Sequence, residues 1–288
     1  MTPTVAVIAP GAMGAAVGRR LTDSGVKVLT SLVGRSAETA ARAKAAGMTA
    51  ASDDEIAASD FILSILPPGD ALAVAQRFVP ALTKSNAKPV FVDCNAINPN
   101  TVERVAAAIA PTGSPFVDAG IIGPPPKPVS EGNAGTGTRI YASGPAASRF
   151  AVLRDHGLDV RMLDGDLAAA SALKMSYAGI TKGTQAIGAA MILASARNGT
   201  ADDLFKELQL SQKEMLGWFK RSLGTMPPKA YRWVAEMQEI AGFVGEDPAA
   251  AELYKGAAEF YERFAEDFAG DKKGAKALAE FLNKNPAN

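Results

Sequence analysis

Two short runs of this 288-residue chain carry residues whose types and spacing could do chemistry. The first is Val5-Ala-Val-Ile-Ala-Pro-Gly-Ala-Met-Gly14, an apolar run that ends in a glycine turn and opens a helix. Backbone N–H groups at such a helix N-terminus can meet a dinucleotide pyrophosphate, and the usual pattern is G-x-G-x-x-G. Ala9 stands at the first glycine position, while Gly11 and Gly14 fill the other two. Pro10, Gly11, Ala12, Met13 and Gly14 are therefore candidate cofactor contacts, with a glycine turn that serves packing alone as the competing reading. The second run holds Lys174, Tyr177 and Thr181, which share one helical face extended by Gln185. Small apolar residues surround them (Ala170, Ala172, Ala178, Gly179, Gly183, Ala186). A lysine partly desolvated there would have a lowered pKa suited to proton transfer. A lysine reaching solvent from a core helix is the plainer alternative.

Cofactor choice is read at the end of the second apolar run, where an acid would bond the ribose 2′-hydroxyl of NAD. No acid lies between Val26 and Ala37, and the segment is Gly34-Arg35-Ser36. An arginine beside a hydroxyl suits a 2′-phosphate, so NADP(H) is preferred and NAD stays possible. A solvated Arg35 and a helix-capping Ser36 would give the same sequence.

The elements that must position these residues follow from periodicity. Strands are expected at Val5–Ala9, Val26–Leu32, Phe61–Leu66, Val90–Asp93, Pro115–Ala119, Thr138–Ala142 and Leu158–Met162. Helix signals follow most of the early ones: Ser36 before an alanine-rich stretch that Gly47 stops, and Pro99-Asn100 before a helix reaching Ala110. This alternation predicts a mostly parallel sheet covered on both faces. After Leu163 only helices are expected, beginning with one from Leu167 to Asn198 that Gly199 caps. Thr200 and Ser211 read as N-caps, Pro248 falls in a first turn, and the last helix spans Lys272–Asn283. The fold class is thus α/β, a doubly wound Rossmann sheet at 1–164 followed by an all-α domain at 165–288. The segment Gly120–Gly137, rich in proline and glycine, reads as a functional loop or a rigid surface loop.

Composition narrows the function classes. Thirty basic and thirty acidic residues cancel, which argues against a dedicated nucleic-acid or membrane-surface binder. One cysteine, Cys94, excludes a disulfide framework within the chain and reads as a buried hydrophobe. One histidine, His156, excludes a multi-histidine metal site and reads as a helix-end residue before Gly157. No basic region precedes the first apolar run and no stretch is apolar enough to span a bilayer, so a cytoplasmic protein without a metal is expected.

Taken with these residues, most of the chain resembles the β-hydroxyacid dehydrogenase superfamily, which includes 6-phosphogluconate dehydrogenase and the imine reductases. Ala9-Pro-Gly-Ala-Met-Gly14 resembles its G-x-G-x-M-G, with Ala9 as the departure. Leu63-Ser-Ile-Leu-Pro67 resembles its cofactor-contacting fourth strand, and Asp93-Cys-Asn-Ala-Ile-Asn-Pro99 its D-x-S-T-x-x-P segment. Asp118-Ala-Gly-Ile-Ile-Gly123 resembles its substrate loop, with Ile122 replacing a serine. Ala172-Leu-Lys-Met-Ser-Tyr-Ala-Gly-Ile180 resembles the helix carrying its catalytic lysine. Tyr177 and Ala178 replace a His-Asn pair, and Thr181 replaces a glutamate acid. Pro227-Pro-Lys-Ala-Tyr-Arg-Trp233 resembles a little-characterised branch.

The resemblance implies an oxidoreductase that moves a hydride between NADP and a small hydroxy acid or related carbonyl compound, at the C-terminal ends of the strands. Lys174 and Tyr177 would be catalytic. Leu66, Pro67 and Asn95 would join the cofactor contacts, and Gly120, Ile121, Ile122, Gly123, Thr181 and Arg232 would meet substrate. For Tyr177 a core aromatic, for Asn95 a strand-end turn and for Lys229, Tyr231 and Arg232 a solvated helix face are the open alternatives. The lost His-Asn pair and acid argue against 6-phosphogluconate itself. A homodimer formed through the α domains is implied, with the Ala/Gly-rich long helix packing closely there. An imine reductase and a non-catalytic NADP(H) sensor are the competing functions. Imine reductases usually carry Asp or Tyr at the lysine position, which favours carbonyl chemistry here.

Overall fold

The computed structural model describes residues 2–129 and 137–284. The chain divides into two compact units, Met1–Met175 and Ser176–Asn288. The composition shift puts a boundary at 164/165, whereas this division falls inside a long helix.

The first unit alternates strand and helix: β1 (Thr4–Ile8), α1 (Ala12–Asp23), β2 (Lys27–Thr30), α2 (Ala37–Ala45), β3 (Thr49–Ala50), α3 (Asp53–Ala57), β4 (Phe61–Ser64), α4 (Ala71–Lys84), β5 (Val90–Asp93), α5 (Pro99–Ile109), β6 (Phe116–Ile122), β7 (Arg139–Ser143), α6 (Ala147–Phe150) and β8 (Val160–Met162). They form one eight-stranded sheet in the order β3-β2-β1-β4-β5-β6-β7-β8. All pairs are parallel except β6 with β7. The order reverses between β1 and β4, the switch point at which doubly wound sheets hold ligands beyond their strand ends. Strand residues alternate between two cores. Val5, Val7, Leu63 and Val92 pack on one face, and Ala6, Ile8, Ile62 and Phe91 on the other. Burial on both faces explains why these strands read as continuous apolar runs.

Local signals worked where a side chain closes its own turn. Ser36 Oγ accepts from the Thr39 N–H and starts α2, and His156 ends a 3-10 turn before Gly157 at φ 87°; α5 starts on Pro99 itself rather than after Asn100, because Asn98 caps it by accepting from the Thr101 N–H. One strand boundary needs correction. Gly120, Ile121 and Ile122 are not loop residues, because β6 continues through them and pairs with Tyr141, Ile140 and Arg139 of β7. The remainder of the Gly120–Gly137 segment includes 130–136, which lie outside the described residues.

The long helix is α7 (Ala169–Arg197). The second unit continues with α8 (Ala201–Ser211), α9 (Lys213–Leu223), α10 (Ala230–Phe243), α11 (Pro248–Ala269) and α12 (Lys273–Leu282). Asp247 caps α11 through the Ala249 and Ala250 N–H groups. Of two expected caps, Ser211 fails and Thr200 stands at the N-cap of α8 without a side-chain bond. Ser211 is the last residue of α8, because its hydroxyl donates back to the Glu207 carbonyl. Thr200 makes no side-chain cap and instead donates its N–H to the Ser195 carbonyl, closing α7 past Gly199 at φ 71°. The small residues of α7 serve this unit's own core. A Cβ on Gly188 would lie 2.4 Å from the Phe219 ring, and one on Gly179 2.9 Å from the Tyr254 hydroxyl. No helix among the described residues is long and apolar enough to cross a membrane.

Candidate nucleotide site and lysine anchor

The glycine turn sits at the C-terminal end of β1, on the switch-point side of the sheet. Ala9 adopts φ 65°, and the Gly11 N–H donates to its carbonyl at 2.8 Å. Gly11 is the N-cap of α1, exposed, and a Cβ there would meet nothing within 4 Å. Gly14 is the opposite case, since its Cβ would lie 2.4 Å from the Ala9 oxygen. The two glycines thus divide the work, one leaving the helix end open and the other pressing α1 onto the strand. The first turn of α1 carries no acid, so the positive end of the helix is left for an anion. Pro10 and Gly14 are buried, Met13 half-buried and Ala12 exposed. This cradle fits a dinucleotide.

Beside the turn lies a polar arm. Arg35 and Ser36 are both exposed after Gly34 at φ 70°. Ser36 Oγ lies 3.1 Å from Thr39 Oγ1, which accepts from the Arg42 guanidinium at 3.0 Å. Arg42 Nε also donates to the Pro10 carbonyl at 3.2 Å. A hydrogen-bonded chain therefore runs from the end of β2 to the glycine turn. Sequence reading missed Arg42, although Ser36, Thr39 and Arg42 recur at helical spacing from the cap and so share a face.

The segment after β4 is held from β5. Asn95 is buried; its Oδ1 accepts from the Leu66 N–H at 2.6 Å, and its Nδ2 donates to Ser64 Oγ and Asp93 Oδ2 at 3.0 and 3.1 Å. Its side chain braces Leu66 and Pro67, of which Leu66 is half-buried and Pro67 exposed.

Two carboxylates, Asp93 and Asp118, are fully buried and face each other in the β5–β6 register. Burial pushes Asp93 up to about 7, against hydrogen bonds from Asn95, and the charge of Asp118 adds to the rise. Burial likewise pushes Asp118 up to about 6, against hydrogen bonds from Ser171, Ser143 and Ala170. Asp118 reaches the start of α7: Oδ1 accepts from Ser171 Oγ at 2.6 Å and Oδ2 from the Ser171 N–H at 2.7 Å. One turn on, Lys174 is half-buried, and a Cβ on Gly120 would lie 3.1 Å from its Cβ. Ile121 and Ile122 are buried in β6, and Gly123, at φ 121°, lies against the Gly137 carbonyl. Cys94 is buried and unbridged, its thiol pushed up by burial and by Asp93 and Asp118. Among the described residues no group of three or more His, Cys, Asp or Glu side chains could hold a metal.

Residues 4–154, more than half of the chain, match the family described as the NAD binding domain of 6-phosphogluconate dehydrogenase. The chain belongs to that family. Residues 196–264 match a domain of unknown function, DUF1932. A conserved protein of unknown function, MTH1747, described as structurally similar to 3-hydroxyacid dehydrogenases, is 27% identical with a TM-score of 0.67, over 96% of this chain and 99% of its own. The 3-hydroxyisobutyrate dehydrogenase of Mycobacterium tuberculosis, solved with L-serine, is 21% identical at a TM-score of 0.70, over 99% and 100%. An imine reductase variant from Myxococcus stipitatus, solved with NAD+, is 20% identical at 0.59, over 98% and 100%. The fold of this family member is that of an NAD(P)-binding, hydroxyacid dehydrogenase-like oxidoreductase.

The remaining expected site residues belong to the second unit. Tyr177 is 47% exposed. Thr181 Oγ1 donates to the Tyr177 carbonyl at 2.8 Å, so its hydroxyl is turned onto its own helix. Gln185 is buried and donates to the Thr181 carbonyl. Arg232 is exposed and stacks on the Tyr231 ring, 5.7 Å from its centroid.

Proposed function

We propose that this chain is an NADP-dependent dehydrogenase or reductase that transfers a hydride between the nicotinamide and a small hydroxy acid or related carbonyl compound, with Lys174 as general acid/base. The observation that carries the reading is the start of α7, its Ser171 N–H bonded to Asp118 and its Lys174 Cβ set against Gly120 of β6 in a nucleotide-binding sheet. The backbone around Gly11, with Pro10, Ala12, Met13 and Gly14, would hold the pyrophosphate at the α1 N-terminus. Arg35 and Ser36 would take the 2′-phosphate, and the spare N–H groups of Arg42 add donors on the glycine-turn side. Leu66 and Pro67, braced by Asn95, would flank the nicotinamide end. NADP supplies the hydride chemistry when bound. The protein must then move one proton on the substrate oxygen, and an ammonium or amine within hydrogen-bond reach does so, contributing on the order of 10²- to 10⁴-fold. Gly120, Ile121, Ile122 and Gly123 at the end of β6 are the substrate contacts proposed within the first unit. A site ending in Ile121-Ile122 favours a less polar substrate than a sugar acid.

The test is a panel of 3-hydroxy acids with NADP+, and of keto acids and cyclic imines with NADPH, read at the nicotinamide absorbance. Hydroxy- or keto-acid turnover, abolished in Lys174→Ala while NADPH still binds, is the expected result. Near-normal turnover in that variant would sink the lysine role. Imine turnover alone would favour the imine reductase reading. Tight NADPH binding without any turnover would favour a sensor. Equal affinity for NADH and NADPH, unchanged by Arg35→Ala, would remove the NADP assignment.

A further inference from the structure

We infer that Asp118 is the positioning residue for Lys174: it grips the first turn of α7 from β6 and so fixes the height and rotation at which the lysine emerges. The inference rests on the proposed role of Lys174. A helix begins with N–H groups that lack intrahelical acceptors, and normally the preceding residue supplies one. At α7 the sheet supplies them. Asp118 takes the Ser171 N–H and, with its other oxygen, the Ser171 hydroxyl. Ser143 of β7 takes the Ala170 N–H at 2.9 Å and donates to the Leu167 carbonyl at 2.9 Å. Two neighbouring strands thus hold Leu167, Ala170 and Ser171, the turn of backbone that leads to Lys174.

The strand geometry makes this grip directional. Asp118 and Gly120 are two residues apart, so they face the same side of β6. Asp118 holds Ser171, while the missing side chain of Gly120 admits the Ala170 carbonyl, 2.8 Å from where its Cβ would be, and Lys174 Cβ at 3.1 Å. One contact pulls the helix onto the strand and the other sets how close it comes. Ser171 and Lys174 lie one turn apart, so rotation about the grip moves the lysine directly. A buried carboxylate beside a second one, Asp93, is unfavourable for the fold alone, yet both oxygens accept from Ser171 of α7, with Ser143 Oγ a longer contact at 3.4 Å.

Three variants test this with NADP+ and whichever hydroxy acid of the panel turns over fastest. Asp118→Ala removes the grip and also the repulsion from Asp93, so it is expected to fold. Its kcat should fall about 10- to 100-fold, as for a misplaced catalytic group. KM and the NADPH dissociation constant should stay within about twofold, because binding is not what the grip controls. Asp118→Asn keeps the shape and can still accept from the Ser171 N–H while donating to its hydroxyl, so it should recover kcat to within about threefold. Ser171→Ala, which loses only the hydroxyl contact, should fall between the two. A substrate-independent readout is the ¹³C resonance of Lys174 after reductive methylation with labelled formaldehyde, assigned by its loss in Lys174→Arg. It should shift in Asp118→Ala and return in Asp118→Asn.

Wild-type kcat in Asp118→Ala, a loss shared equally by KM and NADPH binding, or superimposable Lys174 resonances in all variants would overturn the inference. If Lys174→Ala itself turns over normally, the lysine role fails first and the positioning role with it. If Lys174→Ala is inactive while Asp118→Ala is not, the positioning role fails alone.

Discussion

Ala9 carries a methyl group where the turn asks for none. Its φ of 65° lies in the left-handed region, which costs an L-residue about 1–2 kcal/mol. Its carbonyl must nevertheless point at the Gly11 N–H and lie against Gly14, so the conformation is imposed from both sides. Replacing Ala9 by glycine relieves the strain but loses a buried methyl and adds unfolded-state freedom, each worth on the order of 0.5–1 kcal/mol. Ala9→Gly should therefore stay within about 1 kcal/mol of wild type in urea unfolding, whereas Ala9→Val, β-branched at positive φ, should lose about 2 kcal/mol or more. A destabilised glycine variant would show that the turn is not strained. The departure from G-x-G-x-x-G was visible in the sequence. That the chain keeps the glycine conformation without the glycine was not, because the partners that impose it come from the helix behind. Arg42 was illegible for a similar reason: its spacing from Ser36 is a surface signal, and only the fold brings Pro10 beside it.

At the level of elements, β5 ends in a buried aspartate and β6 carries another beside it in register, and each aspartate organises a neighbouring segment. Asp93 holds Asn95, which braces Leu66, and Asp118 holds α7. Both carboxyls lie above their ordinary range, to about 7 and about 6, mainly through burial. A group whose pKa is raised on folding stabilises fully below its unfolded value, near 4, and loses that contribution as pH climbs through its folded value. This pair should therefore make the protein less stable at pH 8 than at pH 5, by on the order of 1–3 kcal/mol. Asp118→Asn removes one titration and the charge beside Asp93, so its melting temperature should fall less between pH 5 and 8. Parallel curves for the two proteins would rule the pair out as the source. Most strands were legible because burial on both faces leaves apolar runs of β-branched residues. The end of β6 was not, because Gly120 reads as a loop residue until α7 is seen pressing on it. Ser211 failed as a cap for an equally local reason, its hydroxyl being taken by its own helix.

For the whole molecule the question is what covers α7. Its glycines are used inside the second unit, against Phe219 and Tyr254, so they do not form the close-packing face expected from sequence. The exposed side instead carries large apolar groups: Tyr177 at 47%, Ile180 at 70%, Ile187 at 54% and Met191 at 59% exposure. With Thr184 between them, these positions alternate steps of three and four residues, the spacing of a seam that packs against another helix. A row of this kind on one helix is unusual for a surface facing only water. It supports the proposed homodimer, with α7 meeting its symmetry mate, since a two-fold axis lets one self-complementary patch serve both chains. Light scattering should then give about twice 29.8 kDa for the wild type. The double variant Ile187→Glu, Met191→Glu places four like charges across the seam, and should run as a monomer. Both positions are well over a turn from Lys174 and outside the nucleotide cradle, so NADPH affinity should be unchanged and will report that the first unit remains folded. A wild type that already runs at 29.8 kDa, or a double variant that stays dimeric, would place the contact elsewhere or remove it.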